Sequence, residues 1–174
     1  GLELLQATSD SGRDAALKSL RATYDAQFGS RSKPRNEISL CLYAGPAASQ
    51  RRFLLNAEYG DDGGMWLDDC GGAVLYTGDA YLDTKDRLQA LVQYLGPERV
   101  NGVSVFQVMH HGSQNNWHAG VAKTIEPAVS VFSSDPDHQA FGHPHAHVLR
   151  DFWQNGPVQV DSSRGADVFV WPID

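Results

Sequence analysis

Three apolar runs punctuate the second half of this 174-residue chain, each followed by polar residues suited to chemistry. Gly72 to Thr77 is continuous and stops at Gly78-Asp79, and Val103 to Met109 stops at His110-His111-Gly112-Ser113. Val129 to Phe132 stops at Ser133-Ser134-Asp135, and Gly142-His143-Pro144-His145 follows after a short loop. Apolar runs of this length read as strands buried on both faces, as in parallel sheets. Helical patterns lie between them. Leu88, Leu91, Val92 and Leu95 share one face of a helix predicted over Thr84–Leu95, with Thr84 as its cap. His118–Ile125 and Ala146–Trp153 read as two further helices. Strands alternating with helices imply an α/β layer with the apolar runs in one sheet.

The first half is less regular. Leu2–Ala7 reads as a strand, and Asp14–Phe28 as a helix with Ala16, Leu17, Leu20 and Tyr24 at helical spacing, ended by Gly29. Ser30–Arg35 is a basic loop, Ile38–Ala44 and Arg52–Ala57 are predicted strands, and Gly60–Gly64 is a loop tip. Val158–Val160 and Ala166–Trp171 read as closing strands. The length suits a single domain over residues 1–174. A net charge of −7 provides no global field for nucleic acid or anionic membrane, so phosphate binding would need a local basic patch or a metal. No apolar run reaches the roughly 18 residues that span a bilayer, and the first residues lack the basic start of a signal peptide. Cys41 and Cys70, without metal-ligand spacing, read as reduced thiols of a cytoplasmic protein.

All seven histidines fall between His110 and His147. Loops at one end of an α/β sheet converge on a crevice, which would bring Asp79 and the histidine motifs together. Imidazole and carboxylate together suit Zn, Mn or Fe, and a shared carboxylate can bridge two ions. A bound dication lowers the pKa of water to about 7. Adjacent histidines on a strand end point to opposite sides, so one of His110 and His111 could face a metal while the other faces substrate.

Thr77-Gly78-Asp79, His110-His111-Gly112-Ser113 and Gly142-His143-Pro144-His145, in this order, resemble the C-terminal half of metallo-β-lactamase-fold hydrolases. The closest subgroup is the nuclease-like domain of DNA-internalisation competence proteins (ComEC-like). The resemblance covers residues 36–153, with Leu2–Ala7 as a preceding strand. It implies the C-terminal portion of an αββα sandwich and a metal-dependent phosphodiesterase or nuclease acting through metal-bound hydroxide, with two Zn or Mn in the complete site. Asp79 then resembles the bridging carboxylate and His111 a metal ligand. His143 resembles either a ligand or a phosphate-contacting residue. His110 would support the site or touch substrate, and Ser113 and His145 would contact substrate. Among these, His110, His143 and Ser113 are the candidate catalytic groups.

The departure is as informative as the match. The family's principal ligands lie in an HxHxDH motif, and no histidine precedes His110. Either those ligands come from a missing N-terminal half or a partner chain, or the chain is a degenerate, non-catalytic module. The Gly1 start and the mid-domain character of the first strand favour the missing half, and a half-domain should expose a sheet edge or face. A hydrolase of a lactone, thioester or phosphocholine ester is a third reading. The remaining features have plainer explanations. His118 and His138 read as surface residues, and His145 and His147 flank a helix start. The four tryptophans read as core or rim packing, with Trp117 the one placed to line a pocket. Asp61-Asp62 and Asp68-Asp69 read as solvated loops.

Overall fold

The computed structural model describes residues 10–28, 40–46, 52–59, 64–135 and 142–173. Two compact units divide the chain, residues 1–38 and 39–174. In the first, the described element is helix α1 (Asp10–Phe28), which begins four residues before its predicted start. Leu17 and Leu20 lie on its surface, each about half exposed. The predicted strand Leu2–Ala7 and the Ser30–Arg35 loop fall outside the described residues.

The second unit is α/β. Its larger sheet has five strands in the order β1–β4–β5–β6–β7. These are β1 (Leu42–Ala44), β4 (Ala73–Tyr76), β5 (Val103–Gln107), β6 (Val129–Ser133) and β7 (Pro157–Val160). β1 runs antiparallel to β4, and β4 through β7 are parallel. The three predicted apolar strands are therefore neighbours, as their two-sided hydrophobicity requires. Helices connect them: α2 (Lys85–Leu95) and α3 (Pro97–Asn101) between β4 and β5, α4 (Val121–Ile125) before β6, and α5 (Ala146–Asp151) before β7. Thr84 caps α2 as predicted, its side chain accepting the Arg87 N–H. The helix predicted from His118 starts instead at Val121, because Gly120 is left-handed (φ 102°).

Each face of this sheet has its own core. On the helical side, Phe106 and Phe132 meet Phe152 at ring-centroid distances of 5.6 and 5.9 Å, with Leu75, Leu88 and Val148 around them. On the other side, Val105, Val129 and Val158 pack with Leu55 and Ala57 of a second sheet. This three-stranded sheet has the order β3–β2–β8, formed by β2 (Arg52–Tyr59), β3 (Gly64–Cys70) and β8 (Ala166–Ile173), all antiparallel. Helices, five-stranded sheet and three-stranded sheet thus form three successive layers.

The second sheet corrects one sequence expectation. Asp68-Asp69 is not a solvated loop but part of edge strand β3, where Met65 and Leu67 turn inward and Trp66 and Asp68 turn out. Of the core and rim positions expected for the tryptophans, Trp66, Trp153 and Trp171 take outer ones, 60%, 67% and 42% exposed. Cys41 and Cys70 are free thiols, and the Cys70 Sγ–H donates to the Phe53 carbonyl at 3.1 Å.

Candidate functional site

The C-terminal ends of β4 and β5 are locked together. The buried Thr77 hydroxyl donates to the Gln107 carbonyl at 2.7 Å, and Gln107 Oε1 accepts the Gly78 N–H at 3.3 Å. Gly78 turns with φ 51°, which only glycine adopts readily, and delivers Asp79 in a partly buried position. After β5, Val108 N–H bonds to Val131 carbonyl at 2.9 Å, and the chain then folds into a left-handed turn. His110 (φ 45°, ψ 51°), His111 (φ 59°, ψ 16°) and Gly112 (φ 84°) are consecutive in this region. For a side-chain-bearing residue such a backbone costs about 1–3 kcal/mol and persists only where the surroundings impose it.

Those surroundings are a web of hydrogen bonds. His110 N–H donates to Gly78 carbonyl at 2.8 Å, Ser113 N–H to His110 carbonyl at 2.9 Å, and His145 N–H to Gly112 carbonyl at 3.0 Å. His111 Nδ1 meets the Ser133 carbonyl. A Cβ on Gly112 would lie 2.7 Å from Pro144 Cβ and 2.9 Å from a Phe132 ring carbon. Glycine is required there by space as well as by φ.

Because the two histidines sit in a left-handed turn rather than on a strand, the expected alternation does not separate them. Their ring centroids are 5.8 Å apart. His143 lies 5.8 Å from His110, 6.3 Å from His111 and 4.9 Å from His145. Four imidazoles therefore converge, from the turn after β5 and the segment before α5. Partial burial pushes the His143 pKa down, and the neighbouring His145, His110 and His111 push it the same way. Its neutral form, with an available lone pair, is the favoured one.

The other predicted residues fall into place around this cluster. Ser113 is buried, and its hydroxyl accepts the Asn115 N–H at 3.3 Å, capping the short turn Gln114–Asn116. His145 Nδ1 accepts the Gln114 N–H at 3.4 Å. His147 is exposed, and His118 is partly buried with Nδ1 against the Ala119 carbonyl at 2.6 Å. His138 lies outside the described residues. Trp117 donates its Nε1–H to Asp151 at 2.9 Å and packs on the helical core, so its role is structural.

One residue went unread in the sequence. Asn116 is 1% exposed, and its Nδ2 donates to the Asp79 carbonyl at 3.0 Å and the Ala80 carbonyl at 3.3 Å. Its own carbonyl accepts the Leu82 N–H at 2.8 Å. It therefore clamps the segment that carries Asp79 to the turn after the histidine pair. Within Gln114-Asn115-Asn116, a polar run typical of a surface loop, nothing marked it.

No protein-family model matches the chain, and no curated protein or solved structure is significantly similar. Among the described residues, no three His, Cys, Asp or Glu side chains form a group able to hold a metal ion. No helix among the described residues is long and apolar enough to cross a membrane.

Proposed function

We propose that this chain carries part of a hydrolase centre of the metallo-β-lactamase type, acting on a phosphodiester and completed by metal ligands from outside this sequence. The observation that carries the reading is a histidine cluster in which His110, His111 and His143 lie 5.8–6.3 Å apart between ring centroids and His145 lies 4.9 Å from His143, beside the turn bearing Asp79. In this reading the three layers stand for the helix–sheet–sheet part of an αββα sandwich. In this reading Asp79, His111 and His143 are the donors the chain contributes, and the low pKa of His143 suits a ligand or a hydrogen-bond acceptor for substrate. His110 and His145 form the polar wall beside them. Ser113 supports the turn.

A different reading, a non-catalytic module that binds a complementary chain, draws on the incomplete donor set among the described residues. One comparison separates them. The 174-residue chain and the same chain extended by its upstream coding sequence are titrated with Mn²⁺ and Zn²⁺ by calorimetry, and assayed on bis(p-nitrophenyl) phosphate. The hydrolase reading expects metal binding and turnover in the extended protein, with turnover falling about 100-fold or more for Asp79→Ala. An extended protein that binds neither ion and turns over nothing would leave the non-catalytic module.

A further inference from the structure

The candidate site is assembled from three separate segments: the turn Gly78-Asp79 after β4, the left-handed histidine turn after β5, and His143-Pro144-His145 before α5. They lie far apart in sequence, so their relative positions need a connection of their own. The stretch Ser113–Trp117, which continues directly from the histidine turn, reaches the other two. Near its start, Gln114 N–H donates to His145 Nδ1 at 3.4 Å. Near its end, buried Asn116 holds the chain after β4 at several points. Its Nδ2 donates to the Asp79 and Ala80 carbonyls at 3.0 and 3.3 Å, and its carbonyl accepts the Leu82 N–H at 2.8 Å. Three bonds to four consecutive residues leave Asp79 little freedom independent of Asn116.

Asn116 is in turn held through the residue that follows it. Trp117 pairs with Leu82 in an isolated parallel bridge, and its ring packs against the helical core. Its Nε1–H donates to Asp151 Oδ2 at 2.9 Å, and the same oxygen accepts the Ala122 N–H of α4 at 3.3 Å. A carboxylate oxygen that accepts N–H groups makes charge-assisted bonds, stronger than the neutral bonds around it. Indole N–H is a donor only, so the direction of the Trp117 bond is fixed. Asp151 is the last residue of α5, and the first, Ala146, follows His145. One carboxylate oxygen therefore ties the strip that holds Asp79 to the helix that starts at the histidines. Six helical residues span about 9 Å, so this anchor lies one helix length away from His145.

We infer that Asn116, Trp117 and Asp151 form a joint that sets where Asp79 stands relative to His143 and His145. All three are positioning residues. Asn116 acts on Asp79 directly, and Asp151 acts on it through Trp117 and Asn116. The importance of Asp79 and the histidines rests on the proposed function, whereas the joint itself is testable without any activity.

The test uses the full 174-residue chain and reads amide exchange and chemical shifts by NMR. Trp117→Phe keeps an aromatic ring against the core and removes the N–H; Asp151→Ala removes the acceptor. Asp151→Asn keeps an oxygen able to accept both bonds. Both loss variants should speed exchange of the Leu82 amide about tenfold and shift the Asp79 carboxyl carbon resonance. The Ala128 and Ser130 amides, bonded to the Ser104 and Gly156 carbonyls away from the joint, should keep their rates. Asp151→Asn should stay near the wild type. Combining the two loss variants should accelerate Leu82 by less than the product of the single effects, because both remove the same bond. Equal acceleration at Leu82, Ala128 and Ser130 would overturn the inference in favour of a general contribution to stability. Unchanged Leu82 and Asp79 signals in both loss variants would overturn it as well. Should Trp117→Phe not fold, Asp151→Ala against Asp151→Asn decides by the same criteria. A failure to hydrolyse phosphodiesters in the extended protein would sink the proposed function and leave the joint standing.

Discussion

The residue with the clearest electrostatic signature is His143. Partial burial disfavours its charged form and the neighbouring imidazoles add to this, so protonating it in the folded state costs more than in the unfolded chain, where its pKa is near 6.5. The sign follows from proton binding: with the folded pKa depressed, the unfolded state binds more protons as the pH falls below about 6.5. Stability is therefore full above that value and is lost as pH falls towards and through the depressed folded pKa. Urea denaturation of the wild type and of His143→Gln from pH 7.5 to 5 checks this. The variant should lose part of the acid-side decline, and parallel curves would reject the effect. The same residue shows what a sequence can and cannot display. Its place in the motif Gly-His-Pro-His was evident, whereas its closeness to His110 depends on a backbone conformation that no local pattern encodes.

At the scale of elements, the apolar runs were legible because a strand buried on both faces needs nothing but hydrophobicity. α2 was legible too, since its periodicity and Thr84 cap agree. The turn after β5 was not. Two consecutive non-glycine residues in the left-handed region are imposed by Gly78, Ser133, Phe132 and Pro144, contacts that come from other strands and loops. β3 was missed for a related reason: its outward positions carry an exposed tryptophan and acids that read as loop. The turn predicts its own weak point. Gly112→Ala combines a left-handed alanine with a clash against Pro144 and Phe132, and should cost about 2–4 kcal/mol. Thermal and urea denaturation measure it, and a loss under about 0.5 kcal/mol would mean the turn has slack. The imidazole cluster should loosen in the same variant, seen as altered histidine ring shifts.

At the scale of the whole molecule, the α/β class was accessible from alternation alone, while the division into two sheets was not. Nothing in the sequence of β2 announces that it pairs with β3 on one side and β8 on the other, because strand pairing is a matter of distant partners. That arrangement carries a prediction. A chain ending before Ala166 lacks β8, so Leu55, Ala57 and Val129 lose the cover of Val168 and Val170. It should keep the secondary structure of the parallel strands but bind a hydrophobic dye and lose a cooperative melt. Unchanged cooperativity would show that β8 is dispensable. The pairing of β2 with β8 also has a consequence in time. During synthesis at the ribosome, β2 emerges long before β8, so its hairpin with β3 waits with one edge unpaired. The nascent protein therefore passes through an interval in which that edge is open to chaperones, and β8 acts as the latch that ends their access.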